Sequence, residues 1–192
     1  ALATWFEAET VSRTMKTAAS GGAATLAALG LARHCYETLL EHGVAAKLAV
    51  EQRVVTPSVE KIIEANTLLS GLGFESAGLA AAHAVHNGLT AMAATHHYYH
   101  GEKVAFGLLT QLNLEDRPME QVEQVIAFCL AVGLPVSLAD IGLSTATRDD
   151  LMTIAEAACT PGETMANEPF PVTPEMVVAA MVQADALGEA RR

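Results

Sequence analysis

Apolar residues recur at spacings of three and four along nearly the whole chain, and this period constrains the fold more than any other feature. Ala8, Val11, Met15 and Ala18 form one stripe. Gly21-Gly22 breaks it, and Leu26, Leu29, Ala32, Tyr36 and Leu39 form a second that runs out near Gly43. Val59, Ile62, Ala65, Leu69 and Leu72 follow the dipeptide Thr56-Pro57, a Thr cap with proline at the first helical position. Thr173-Pro174 repeats that signal, and Thr147-Arg-Asp-Asp150 reads as a capping box before Leu151, Ile154 and Ala158. No segment alternates convincingly. The nearest strand candidate, Val44 to Val55, reads better as helix. The expectation is an all-α domain over residues 1–192, a bundle of seven to nine helices.

Composition fits this picture. Hydrophobic residues make up 51% of the chain and aromatics only 5%, so the core must be built from Ala, Leu, Val, Ile and Met. The net charge is −11, and no basic patch interrupts it, which argues against nucleic acid as a partner. No apolar run reaches the length of a membrane span, because Ser20, Gly21, Gly22 and Thr25 interrupt the Ala-rich stretch from Ala18 to Ala32. Three widely separated cysteines, Cys35, Cys129 and Cys159, read as free thiols in a reducing cytoplasm. The opening residues ALATWFEAET carry no leader, and they read as a helix already under way, cut from something longer.

The chemistry is concentrated in HAVHNGLTAMAATHHYYHG, His83 to Gly101, which holds five of the seven histidines. His83 and His86 are three apart and share a helix face. Asn87-Gly88 marks a helix end, Thr95 to His100 a loop, and a helix resumes after Gly101. This layout can bring His100 back to His83. Two imidazoles and one further ligand would make a catalytic metal site with an open position. The same spacing also fits histidines that merely satisfy a core. His96 and His97 sit in the loop. Tyr98 and Tyr99 read as packing at the loop's edge, and Glu102 and Lys103 as solvated residues at a helix start. Glu75 is a candidate orienter of the histidines, or a solvated carboxylate. Asp149 and Asp150 are sequential and point apart. Ser76 lacks a nucleophile elbow, and no phosphate-cradling glycine loop occurs.

The stretches GLGFESAGLAAAHAVHNGLT, HHYYHGEKVAFG, ALATWFEAE, AVGLPVSLADIG and AEAAC…GET carry a resemblance that spacing does not. Together they resemble the glycerol-oxidising branch of the iron-containing alcohol dehydrogenase family, and the likeness runs over essentially the whole chain. The resemblance implies the C-terminal all-α domain of the dehydroquinate synthase-like fold. In that family an N-terminal α/β domain binds most of the NAD, and the present chain contains no counterpart to it. The resemblance further implies an oxidoreductase that converts glycerol and NAD to dihydroxyacetone and NADH over a zinc ion. The zinc would be held by His83, by His100 and by an Asp expected just before Ala1, which is absent from these residues. His86 would lie near the nicotinamide and the substrate. The resemblance also implies a homo-oligomer.

With two of three ligands, the expectation is partial zinc occupancy and no activity of these 192 residues alone. One alternative is a catalytically silent helical module that self-associates. Another is a related polyol or alcohol dehydrogenase; Lys103 is the only basic residue near the segment, which favours a neutral polyol over a polyol phosphate.

Overall fold

A computed structural model describes residues 1–14, 16, 18 and 21–192. Among these residues the ordered elements are helices, and no strand forms. The chain divides into two compact units, Ala1–Leu79 and Ala80–Arg192. Met15 of the first predicted stripe, and Ser20 of the Ala-rich stretch, lie outside the described residues.

The first unit holds α1 (Leu2–Ser12), α2 (Leu26–Glu51), α3 (Pro57–Glu64) and α4 (Ser70–Ala77). α2 packs against each of the other three. Its start is capped by the Thr25 hydroxyl, which accepts from the Ala28 N–H. The predicted stop near Gly43 does not occur. Gly43 is buried in mid-helix, and the packing there offsets the cost of about 1 kcal/mol for a helical glycine. α1 is buried on nearly every side, from Leu2 and Ala3 through Phe6 and Ala8 to Val11. Small residues allow this: Ala8, Ala28, Ala32 and Ala77 form one core, with Trp5 and Leu29 against it. The Phe6 ring meets Tyr36 edge-on at 5.1 Å. A π-helical turn, Ala65–Leu69, joins α3 to α4. The buried Cys35 thiol donates to the Ala65 carbonyl at 3.3 Å.

The second unit holds α5 (Ala81–Leu89), α6 (His100–Leu114), α7 (Met119–Val132), α8 (Arg148–Ala158) and α9 (Pro174–Ala190). α6 is its axis. Every residue from Lys103 to Leu112 is buried, and α5, α7 and α9 pack around it. α8 closes against α5 and α9. The predicted caps recur here: Thr147 and Asp150 make a reciprocal capping box, and Thr173 accepts from Met176. Thr56 supplies the extended residue before Pro57, but its side chain makes no capping bond.

α5 lies deep because its neighbours withdraw their side chains. A Cβ on Gly107 of α6 would stand 2.3 Å from the Ala82 carbonyl oxygen, and one on Gly88 would stand 2.3 Å from that of Ile154 in α8. The helix therefore presents Ala81, Ala82, Ala84, Val85, Gly88 and Leu89 to the core and leaves His83 and His86 half-buried.

Among the described residues no single helix is long and apolar enough to cross a membrane. Cys35 and Cys129 are buried free thiols and Cys159 is half-buried. Burial pushes the Cys129 thiol up to about 12.

Candidate metal centre

The helix that carries His83 and His86 has no cap of its own. Ala80, at its cap position, has no side-chain donor or acceptor to offer. Residues distant in sequence take over. The buried Glu168 carboxylate accepts from the Ala81 N–H at 3.0 Å, and the buried Gln111 amide oxygen accepts from the Ala82 N–H at 3.0 Å. The Thr164 hydroxyl donates to the Ala80 carbonyl at 2.7 Å. Two of the orphan donors of a helix start are thus met by side chains from α6 and from the loop before α9. The position of His83, two residues further on, is fixed by these contacts.

His100 arrives from the other side as the first residue of α6, although the sequence reads it as the end of a loop with the helix resuming after Gly101. Tyr99 is its cap residue, and the Glu102 carboxylate accepts from the Tyr99 N–H at 2.6 Å. Glu102 is therefore a capping residue and not a solvated one. Lys103 also departs from expectation. It is 7% exposed, the first residue of the run from Lys103 to Leu112 that α6 buries against its neighbours. α5 likewise continues through Asn87 and Gly88 to Leu89, since Gly88 is the point of contact with α8.

These elements gather three imidazoles. Ring centroids lie 5.4 Å apart for His83 and His100, 4.3 Å for His86 and His100, and 6.4 Å for His83 and His86. Two imidazoles bound to one tetrahedral zinc through bonds of about 2.0–2.1 Å hold their centroids roughly 5 Å apart. The pair His83 and His100 has that separation. His86 and His100 are instead joined directly, Nε2 to Nδ1 at 3.1 Å. His86 bonds through Nδ1 to Asn87 Oδ1 at 2.9 Å, and the Asn87 amide donates to Glu163 at 2.8 Å. Among the described residues no group of three or more His, Cys, Asp or Glu side chains is arranged to hold a metal. The histidines fit two positions of a coordination shell, not a whole one.

Electrostatics favour neutral rings at His86 and His100, as ligation requires. Burial, then His86 and His83, and the Lys103 ammonium together hold His100 down to about 4. His86 is also lowered, because burial outweighs the Asn87 hydrogen bond. The remaining histidines of the segment stand apart from this cluster. His96 bonds through Nε2 to the Thr90 carbonyl at 3.0 Å, and His97 stacks at 4.2 Å on Tyr98. Tyr98 is half-buried against Gly142, whereas Tyr99 is 82% exposed and does not pack. Glu75 is exposed, as a solvated carboxylate is.

Sequence reasoning missed Gln111, Glu163 and Glu168, and read the buried Lys103 as solvated. Only Lys103 carried a local signal, its place one turn after His100. The others act from 29 to 87 residues away from their partners, and no short-range pattern marks them.

No family model matches the chain. Individual proteins do. A glycerol dehydrogenase of Escherichia coli O6:H1 is 58% identical over 189 residues, 98% of this chain and 52% of that protein. A glycolaldehyde reductase of Halobacterium salinarum is 54% identical over 187 residues, 97% of this chain and 51% of that protein. The crystal structure of a probable glycerol dehydrogenase from Sinorhizobium meliloti 1021 superposes with a TM-score of 0.96 at 46% identity, covering 98% of this chain and 53% of that one. The chain spans about half the length of the curated relatives it matches.

Proposed function

We infer from a chain similar throughout, in sequence and fold, to the C-terminal half of glycerol dehydrogenases that these residues form the helical, metal-binding part of an NAD-dependent glycerol dehydrogenase. The observation that carries the reading is 58% identity over 98% of the chain to a protein of that name. The reaction would be oxidation of glycerol to dihydroxyacetone with reduction of NAD.

His83 and His100 would hold a zinc ion, with an Asp preceding Ala1 as the third ligand. Their 5.4 Å centroid separation and the depressed pKa of His100 support this assignment. When bound, such an ion supplies a Lewis acid that lowers the pKa of a coordinated hydroxyl. The chain's own contribution is to present the two imidazoles at a fixed spacing, with His100 held neutral. The rigidity comes from the contacts of Glu168, Gln111 and Thr164 on α5 and from the capping box that starts α6. His86, on the same face as His83, would border the substrate and the nicotinamide. Self-association and a cytoplasmic location belong to the same proposal, on the resemblance alone.

The test is NAD reduction with glycerol by the whole protein that carries these residues, with metal content measured alongside. Joint loss of zinc and of activity is expected for His83→Ala and for His100→Ala. Full activity in either variant overturns the assignment. These 192 residues prepared alone are expected to bind zinc weakly and to show no turnover; one tightly held zinc per chain after dialysis would contradict that. A second substrate reading rests on the 54% identical glycolaldehyde reductase. Running the same protein with glycolaldehyde and NADH decides between the two.

A further inference from the structure

The hydrogen bonds behind His100 form a chain with one possible direction. At its far end is Glu163, whose ionised carboxylate has only acceptors. The Asn87 side chain lies 2.8 Å from it, so Asn87 must turn its NH2 group toward Glu163. The Asn87 carbonyl oxygen then faces His86 Nδ1 at 2.9 Å, and a carbonyl oxygen only accepts. His86 must therefore carry its proton on Nδ1, which leaves a lone pair on Nε2. His100 Nδ1 lies 3.1 Å from that lone pair and must donate to it. A neutral His100 with its proton on Nδ1 has its lone pair on Nε2.

We propose that Glu163 is a positioning residue that acts through Asn87 and His86 to fix the tautomer of His100, leaving Nε2 of His100 free to bind a metal. The direction of the relay follows from donor and acceptor chemistry alone. Its use in metal binding rests on the reading given above. The arrangement is the histidine counterpart of the carboxylate–histidine–metal triad, in which an outer carboxylate sets which nitrogen ligates. Here an amide and a second imidazole stand between the carboxylate and the ligand. His100 also reaches the cluster from a different helix than His86 and Asn87, so the relay spans α5, α6 and the loop before α9.

Nitrogen-15 NMR of labelled histidines reads imidazole tautomers directly, in the metal-free protein and without reference to catalysis. In the unaltered protein near neutral pH, His86 and His100 are both expected with the proton on Nδ1. A His100 proton on Nε2 overturns the proposal. Glu163→Ala frees the Asn87 amide to rotate, and both histidines are then expected as tautomer mixtures; an unchanged His100 overturns the proposal. The paired variant Asn87→Asp with Glu163→Gln rebuilds the same direction with different groups. The carboxylate introduced at position 87 would accept from His86, and the amide introduced at position 163 would donate to that carboxylate. Recovery of the Nδ1–H tautomer on His100 is expected, which a merely structural role for Glu163 does not predict, and failure to recover it counts against the relay. Zinc titration of the same set is expected to show about 10–100-fold weaker binding in Glu163→Ala. Tautomers that respond as described with zinc affinity unchanged would overturn the metal-binding reading while leaving the relay standing.

Discussion

The Glu168 carboxylate accepts a hydrogen bond at 3.0 Å from the Ala81 N–H, across 87 residues of sequence. This contact anchors the start of the helix that presents His83 and His86. Glu168→Ala removes the acceptor and leaves a buried N–H at a helix start. A loss of about 1–3 kcal/mol is expected, read as a lower urea midpoint at unchanged slope. Glu168→Gln retains an acceptor and should lose clearly less. Equal losses in the two variants would show that the bond to Ala81 is not what matters.

Gly107 is where α6 touches α5. An added Cβ would stand 2.3 Å from the Ala82 carbonyl oxygen, which is backbone and cannot rotate away. Gly107→Ala should cost about 1–3 kcal/mol as the helices are forced apart, although alanine is the better helix former. Gly101, at the exposed start of α6, meets nothing within 4 Å. Gly101→Ala is therefore expected to be neutral or mildly stabilising. Thermal melts of the two variants test the contrast, and a neutral Gly107→Ala would refute the close approach.

His100 links stability to pH with a definite sign. Its ordinary value of 6.5 is held down to about 4 in the folded chain. Between those values the unfolded chain binds the proton and the folded one resists it. The contribution of His100 is thus constant above about 6.5 and is lost as pH falls toward about 4. Urea midpoints of the metal-free protein at pH 7.5, 5.5 and 4.5 should fall less steeply in His100→Gln than in the unaltered protein. Parallel slopes would exclude this linkage.

Lys103 is buried one turn along from His100, and its charge lowers the pKa of both His86 and His100. Lys103→Met keeps the apolar stem and removes the charge. NMR titration should show both imidazoles moving up toward 6.5, and by only part of the gap, because burial is the largest cause of each shift. A downward or absent shift would show that the ammonium does not act on these rings.

The helical class of this chain could be read directly, because a stripe of apolar residues at three and four is itself the physical requirement for burying one side of a helix. Thr25, which caps α2, was passed over as an interruption of an Ala-rich stretch. Thr173 is legible as a cap from the proline that follows it and Thr147 from Asp150 three residues on, whereas Thr25 has neither signal beside it. Gly43 misled because a glycine ends a helix only when nothing packs on it. The histidines of the site were legible as a cluster, and the likeness to known enzymes distinguished His83 and His100 among them.

The sequence by itself therefore determined the helical class and the caps at Thr147 and Thr173, which depend on neighbours within a few residues, while the likeness to known enzymes supplied the candidate ligands. Tertiary structure alone decided how close the imidazoles come, that Lys103 is buried, that Glu168 and Gln111 hold the start of α5, and that Glu163 lies behind His86 and His100. Those relationships join positions as much as 87 residues apart. Their physical basis is the packing of helices whose glycine and alanine faces permit close approach, and no local pattern encodes which helix will be the neighbour.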